Sequence, residues 1–127
     1  MMRKPVATGL PGVGAPFEWA VTADGVLYTA QIAIKADGSI ETGDAGIQTK
    51  LTLANLKATV EAAGGGMADV TQVLIYLTRP EDFAPMNAVY ETFFEEPYPN
   101  RATVIVAGLP VPGVVIEIVA YAHLPAA

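Results

Sequence analysis

The sequence predicts an α+β domain of two layers, a mixed β-sheet carrying two helices on one face. Three observations point there. Runs of β-branched and aromatic residues alternate with two segments of helical period, in the order ββαβαββ. Clusters of Gly, Pro and Asp separate these segments at short intervals. A chain of 127 residues, 52% of them hydrophobic, is one domain's worth, residues 1–127, and can bury a core without disulfides or metal.

Residues 1–16 read as a loop-like N-terminal arm, because Pro5, Gly9, Pro11, Gly12, Gly14 and Pro16 interrupt any regular run. Phe17 to Thr22 reads as a short strand. Asp24-Gly25 is the strongest hairpin signal in the chain and returns it into a second strand, Val26 to Ile34. Ala36-Asp37-Gly38 turns the chain again, ahead of a short extended piece at Ile40. From Ala45 to Ala63 the period becomes helical. Ile47, Leu51, Ala54, Ala58 and Ala62 form an apolar stripe that Leu53, Leu56 and Val60 widen, with Gln48, Lys50, Asn55, Lys57 and Glu61 mostly on other faces. Gly64-Gly65-Gly66 reads as the C-terminal cap rather than a phosphate cradle, since no lysine stands behind it. Val70 to Thr78 is a β-branched central strand ended by Pro80. Asp82 is the expected N-cap of a second helix, Phe83 to Glu95, whose apolar face is Phe83, Met86, Tyr90 and Phe93 or Phe94, and Pro97 and Pro99 bound it. Two strands follow, Thr103 to Ala107 and Val114 to His123, around the turn LPVPG.

Composition excludes several function classes. Thirteen acidic against seven basic residues give a net charge of −6, so the average field repels nucleic acid, anionic membrane and anionic substrates, and any anion that binds must find a local cation. With no cysteine there is no thiol catalysis, disulfide or thiolate metal site. The single histidine, His123, cannot build a multi-histidine metal site and reads as an edge or surface residue of the last strand. The N-terminal MMRKPVATGLPGVG is interrupted before an apolar core forms, and no run of about 18 apolar residues occurs, so a soluble, cytoplasmic chain is expected. Only 16% of residues are charged, and the apolar surplus suggests surface buried between subunits.

The stretch from Pro99 to Glu117, PNRATVIVAGLPVPGVVIE, concentrates the chemistry. It opens on one cation, Arg101, and closes on one anion, Glu117, with no ionisable side chain between Ala102 and Ile116. A guanidinium beside a buried strand costs several kcal/mol unless something anionic meets it. Two readings stay open: Arg101 and Glu117 pair with each other or with solvent as structural residues, or Arg101 receives a small carboxylate through its bidentate fork.

Leu27-Tyr28-Thr29-Ala30-Gln31-Ile32, Asn55-Leu56, Glu61-Ala62-Ala63-Gly64, Asp69-Val70, Asp82-Phe83-Ala84, Asn87-Ala88-Val89-Tyr90, Phe93-Phe94, Pro99-Asn100-Arg101, Leu109-Pro110 and Ile116-Glu117-Ile118 together resemble the Rid (YjgF) family of reactive-intermediate deaminases, in unbroken order over roughly residues 9 to 123. The resemblance implies a chorismate-mutase-like fold, a homotrimer, and sites in the clefts between neighbouring subunits. It also implies an activity, hydrolysis of 2-imino acids released from enamines to 2-keto acids and ammonia, with no metal and no organic cofactor. By position, Arg101 matches the arginine that holds the substrate carboxylate, Glu117 the acidic residue credited with water handling, Thr103 a position whose backbone lines the pocket, and Asn87 a recurring asparagine of the second helix. Three positions depart from the common pattern at that pocket. Thr29-Ala30 replaces Ser-Gly, keeping the hydroxyl and adding methyl bulk; Phe17 replaces a tyrosine and lacks the phenol; and Thr103 stands where many members have cysteine.

Imine hydrolysis needs a water, a group to relay its proton and a fixed carboxylate, and Glu117 can be that relay if burial raises its pKa. Three functions follow: a 2-imino acid deaminase, a non-catalytic trimer that binds small carboxylates or keto acids through Arg101, and an endoribonuclease. The last is the weakest, because the chain has no basic stripe with interleaved aromatics.

Overall fold

The computed structural model describes residues 2–126. One sheet of six strands runs in the order β1-β2-β3-β6-β4-β5, with β1 at Lys4–Pro5, β2 at Ala20–Ala23, β3 at Val26–Gln31, β4 at Val70–Leu77, β5 at Asn100–Ile105 and β6 at Ile116–His123. Two helices, α1 (Ala45–Ala62) and α2 (Phe83–Tyr90), cover one face, giving the mixed two-layer α+β architecture expected from the element order. β6 is antiparallel to both β3 and β4, while β5 is parallel to β4 and forms the far edge.

Local chemistry accounts for the elements. Asp24 and Gly25 both take positive φ, 50° and 76°, which is the turn that matches the twist of a two-residue hairpin between β2 and β3. α1 starts with the Asp44 carboxylate accepting the Ile47 N–H at 3.0 Å. It ends in a Schellman motif: Gly64 sits at φ 95°, its N–H reaches Glu61 O, and the Gly65 N–H reaches Val60 O at 3.0 Å. The triple glycine is therefore a cap.

Several boundaries differ from expectation. The first long strand begins at Ala20, because Phe17 to Trp19 still belong to the arm; Trp19 Nε1 donates to Pro11 O at 2.7 Å and ties the two together. The arm itself contributes the two-residue β1, paired with β2. β3 stops at Gln31, since Asn55 Nδ2 takes the carbonyls of Ile32 and Ile34 out of the ladder. α2 ends at Tyr90 rather than Glu95. Asp82 is buried and gives its carboxylate to Arg79 Nη2, 2.8 Å away, instead of capping α2, whose first turn is preceded by a 3₁₀ turn over Pro80–Asp82.

The largest correction concerns the face of α1. Ile47 is half exposed, and Ala54, Ala58 and Ala62 face solvent; the buried side is Gln48, Thr49, Thr52, Leu53, Asn55, Leu56, Thr59 and Val60. Polar residues face the core because each finds partners. Gln48 donates to Gly43 O and Gly113 O and accepts from the Val115 N–H, and Thr49 and Thr52 donate to the carbonyls one turn back. Beneath them Leu27, Val73, Ile75, Leu77, Ile116 and Ile118 of the sheet pack on Leu53, Leu56, Val60 and Met86.

Strand alternation gives the sheet two very different faces. The other one lacks a helical layer and carries three rows: Tyr28, Tyr121 and Gln72; Ala30, Val119, Leu74 and Ala102; and Glu117, Tyr76 and Val104. Tyr28 and Tyr121 meet edge to face there, 5.6 Å apart. Among the described residues no helix is long and apolar enough to cross a membrane.

Candidate active site

β5 starts at Asn100, immediately after the Pro97-Tyr98-Pro99 segment, and parallel pairing with β4 puts Arg101 beside Val73 and Thr103 beside Ile75. Val73 and Ile75 are fully buried under the helices, so Arg101 and Thr103 face the helical layer as well. There α2 receives the guanidinium. Arg101 Nη1 donates to Asn87 Oδ1 at 2.8 Å, and Cζ lies 4.6 Å from the centroid of the Tyr90 ring and 5.8 Å from that of Phe83. Asn87 and Tyr90 sit three apart, and Phe83 lies one further turn back on the same helix, which is the spacing that aims all three at one point.

No carboxylate pairs with Arg101 among the described residues; the ion pairs there join Lys35 to Glu41 and Arg79 to Glu81 and Asp82. Aromatic faces and an amide oxygen stabilise the cation without neutralising it. The guanidinium is therefore oriented, partly buried, and still has donors for an anion. Thr103, two residues on, carries a buried hydroxyl with no partner among the described residues, as does Tyr90. Burial pushes the Tyr90 phenol pKa up, against a smaller opposing pull from Arg101.

Glu117 lies elsewhere. It pairs with Tyr76 across β6 and β4 and points to the helix-free face, so in one chain it stands on the opposite side of the sheet from Arg101. The structural pairing of Arg101 with Glu117 within a chain does not occur. Partial burial raises the Glu117 pKa above the usual carboxylate range. Ala30 shares that face, in the row with Val119 and Leu74.

Thr29 turns inward. Its hydroxyl donates to Trp19 O at 2.6 Å and accepts from Gln31 Nε2, which also donates to Thr59 at 3.0 Å, so it locks α1, β3 and the arm together. Phe17 is exposed on the arm, edge-on to Trp19 at 6.2 Å. A single chain thus gathers Arg101, Asn87 and Thr103 on one side of the sheet and places Ala30 and Glu117 on the other, while Phe17 stays on the arm. The sequence marks Tyr90 and Phe83, which hold the guanidinium, only as part of the apolar face of α2, and their helical spacing with Asn87 is the signal that groups them.

A family profile described as Endoribonuclease L-PSP matches residues 10–124. A RutC family protein of Pyrococcus horikoshii is 44% identical over 110 residues, 85% of this chain and 86% of its own. The crystal structure of RidA from an Antarctic Psychrobacter superposes with a TM-score of 0.88 at 31% identity, covering 95% of this chain and 99% of that one. That of E. coli TdcF with bound serine superposes with a TM-score of 0.86 at 35% identity, covering 96% and 99%. With the fold and most of the length in common, the chain belongs to the Rid (YjgF, L-PSP) family.

Proposed function

We propose that this protein is a hydrolytic deaminase that converts 2-imino acids, and the enamines in equilibrium with them, to 2-keto acids and ammonia. The observation that carries the reading is Arg101, a guanidinium held by an amide and two aromatic rings and left without a carboxylate partner among the described residues. A 2-imino acid offers that carboxylate, and the fork fixes it while the imine carbon waits for water. Glu117, with its raised pKa, suits the proton relay: it passes both protons of the attacking water, one at attack and one as the carbinolamine collapses, to the departing nitrogen. The water oxygen becomes the keto oxygen, the C=N bond breaks, and nitrogen leaves as ammonia.

Because Arg101 and Glu117 lie on opposite faces of one sheet, the reading requires a second copy to bring its Glu117 to the first copy's Arg101. A homotrimer, with the helix-free faces turned toward a common centre, supplies such clefts, and the uncovered tyrosine-rich face supports it. Ala30, Phe17 and the Thr103 hydroxyl are proposed to shape the pocket around the side chain of the imine.

The alternative is a trimer that binds small carboxylates without catalysis, which the serine in the TdcF relative favours. Endoribonuclease activity, although it names the matching family profile, is disfavoured by the net charge of −6. The separating experiment follows ammonia and keto-acid release from freshly generated 2-iminopropionate and 2-iminobutyrate. Release faster than the unaided reaction, and lost with Arg101→Ala, is expected. Tight keto-acid binding without acceleration makes the protein a carboxylate binder.

A further inference from the structure

Tyr90 is buried, at 6% exposure, yet its hydroxyl has no hydrogen-bond partner among the described residues. Within the described residues, then, Tyr90 makes its specific contacts through the ring. One face of that ring stacks on Phe94, with centroids 4.6 Å apart and planes tilted by 33°. The ring also meets the Arg101 guanidinium, whose Cζ lies 4.6 Å from its centroid, well inside the range of cation–π attraction. Phe94 follows the end of α2 and is itself buried, so the ring has no room to retreat from the cation.

We infer that Tyr90, braced by Phe94, is a positioning residue for carboxylate capture: its ring fixes the plane of the Arg101 guanidinium so that the donors left free by Asn87 meet a substrate carboxylate as a fork. This rests on the reading of Arg101 as the carboxylate receptor. Arg101 Nη1 is engaged by Asn87 at 2.8 Å, and the Tyr90 ring, 4.6 Å from Cζ, bounds the guanidinium from a second direction. Together they remove the freedom an arginine otherwise loses on binding, and a preorganised fork binds more tightly for the same hydrogen bonds.

The test measures 2-oxobutanoate binding by calorimetry and the kcat and KM for 2-iminobutyrate in Tyr90→Leu and Tyr90→Phe, each with Arg101 and with Arg101→Ala. Tyr90→Leu is expected to weaken binding and raise KM about three- to thirtyfold with a smaller change in kcat, and Tyr90→Phe to restore both. In the Arg101→Ala background the residual 2-oxobutanoate affinity should fall no further with Tyr90→Leu. Equal losses with and without Arg101 overturn the inference, as does unaltered binding in Tyr90→Leu while Arg101→Ala abolishes it. A parent chain that binds no 2-oxo acid overturns the reading of Arg101 and this inference with it. If Tyr90→Leu does not fold, phenylalanines of increasing ring fluorination at position 90 keep the shape and drain the ring face; binding should then weaken stepwise, and a flat series overturns the inference.

Discussion

Arg101 has five N–H donors, of which Asn87 Oδ1 takes one at 2.8 Å, so most of its hydrogen-bonding capacity is still available to an anion. Arg101→Lys keeps the charge and loses the fork, and Arg101→Ala loses both, so keto-acid affinity should fall in that order. Loss of a charge-assisted contact predicts a decline of about ten- to a hundredfold for the alanine variant, measurable by calorimetry. Because Glu117 is on the far face, neither variant strands a carboxylate within the chain, and the melting temperature should stay within a few degrees of the parent's. Glu117 makes a separate expectation. Burial raises its pKa, so the folded chain holds this proton more tightly than the unfolded chain does. Its ionisation therefore costs stability as pH rises from the ordinary glutamate value through the raised folded one, and Glu117→Gln removes that loss. At pH 8 the variant should melt at or above the parent, and its residual rate should lack the acid limb expected in the parent's pH–rate profile. An unchanged acid limb would exclude Glu117 as the relay. Both charges were visible in the sequence as the ends of an uncharged stretch; that they face opposite ways was not, because it depends on the register of β5 and β6 against β4.

At the scale of elements, α1 is where hydrophobicity misleads. Its apolar stripe through Ile47, Ala54 and Ala58 faces out, and its core side includes Gln48 and three threonines, because buried polar groups are tolerated when the backbone satisfies them. Gln48→Leu should accordingly destabilise the chain by roughly 2–5 kcal/mol, leaving Gly43 O, Gly113 O and the Val115 N–H without their partner, whereas Ile47→Gln should change little. Urea melts of the two variants check the contrast; the reverse order would return the helix to its hydrophobic stripe. Signals set by local backbone chemistry were legible, as the Asp24-Gly25 hairpin and the Gly64 cap show. Signals set by side-chain partners were not: Asn55 ends β3 from 23 residues away, and nearby Arg79 draws Asp82 away from its cap.

For the whole molecule the open question is what covers the helix-free face. Its centre, Ala30, Val119 and Leu74 beneath Tyr28 and Tyr121, is too apolar to suit water well, as the composition already suggested. Sedimentation should give a trimer of about 40 kDa from chains of 13.2 kDa, and Val119→Lys should leave a folded monomer without deaminase activity. A parent that sediments as a monomer would remove the cleft and the proposed chemistry together. The most direct measurement mixes two strongly impaired variants, Arg101→Ala and Glu117→Gln, after dissociation and reassembly. If one copy's Arg101 works with another copy's Glu117, every mixed trimer regains one intact site, and an equal mixture should recover about a quarter of the parental rate of 2-iminobutyrate hydrolysis. A mixture no more active than the two variants apart would contradict a site shared between chains.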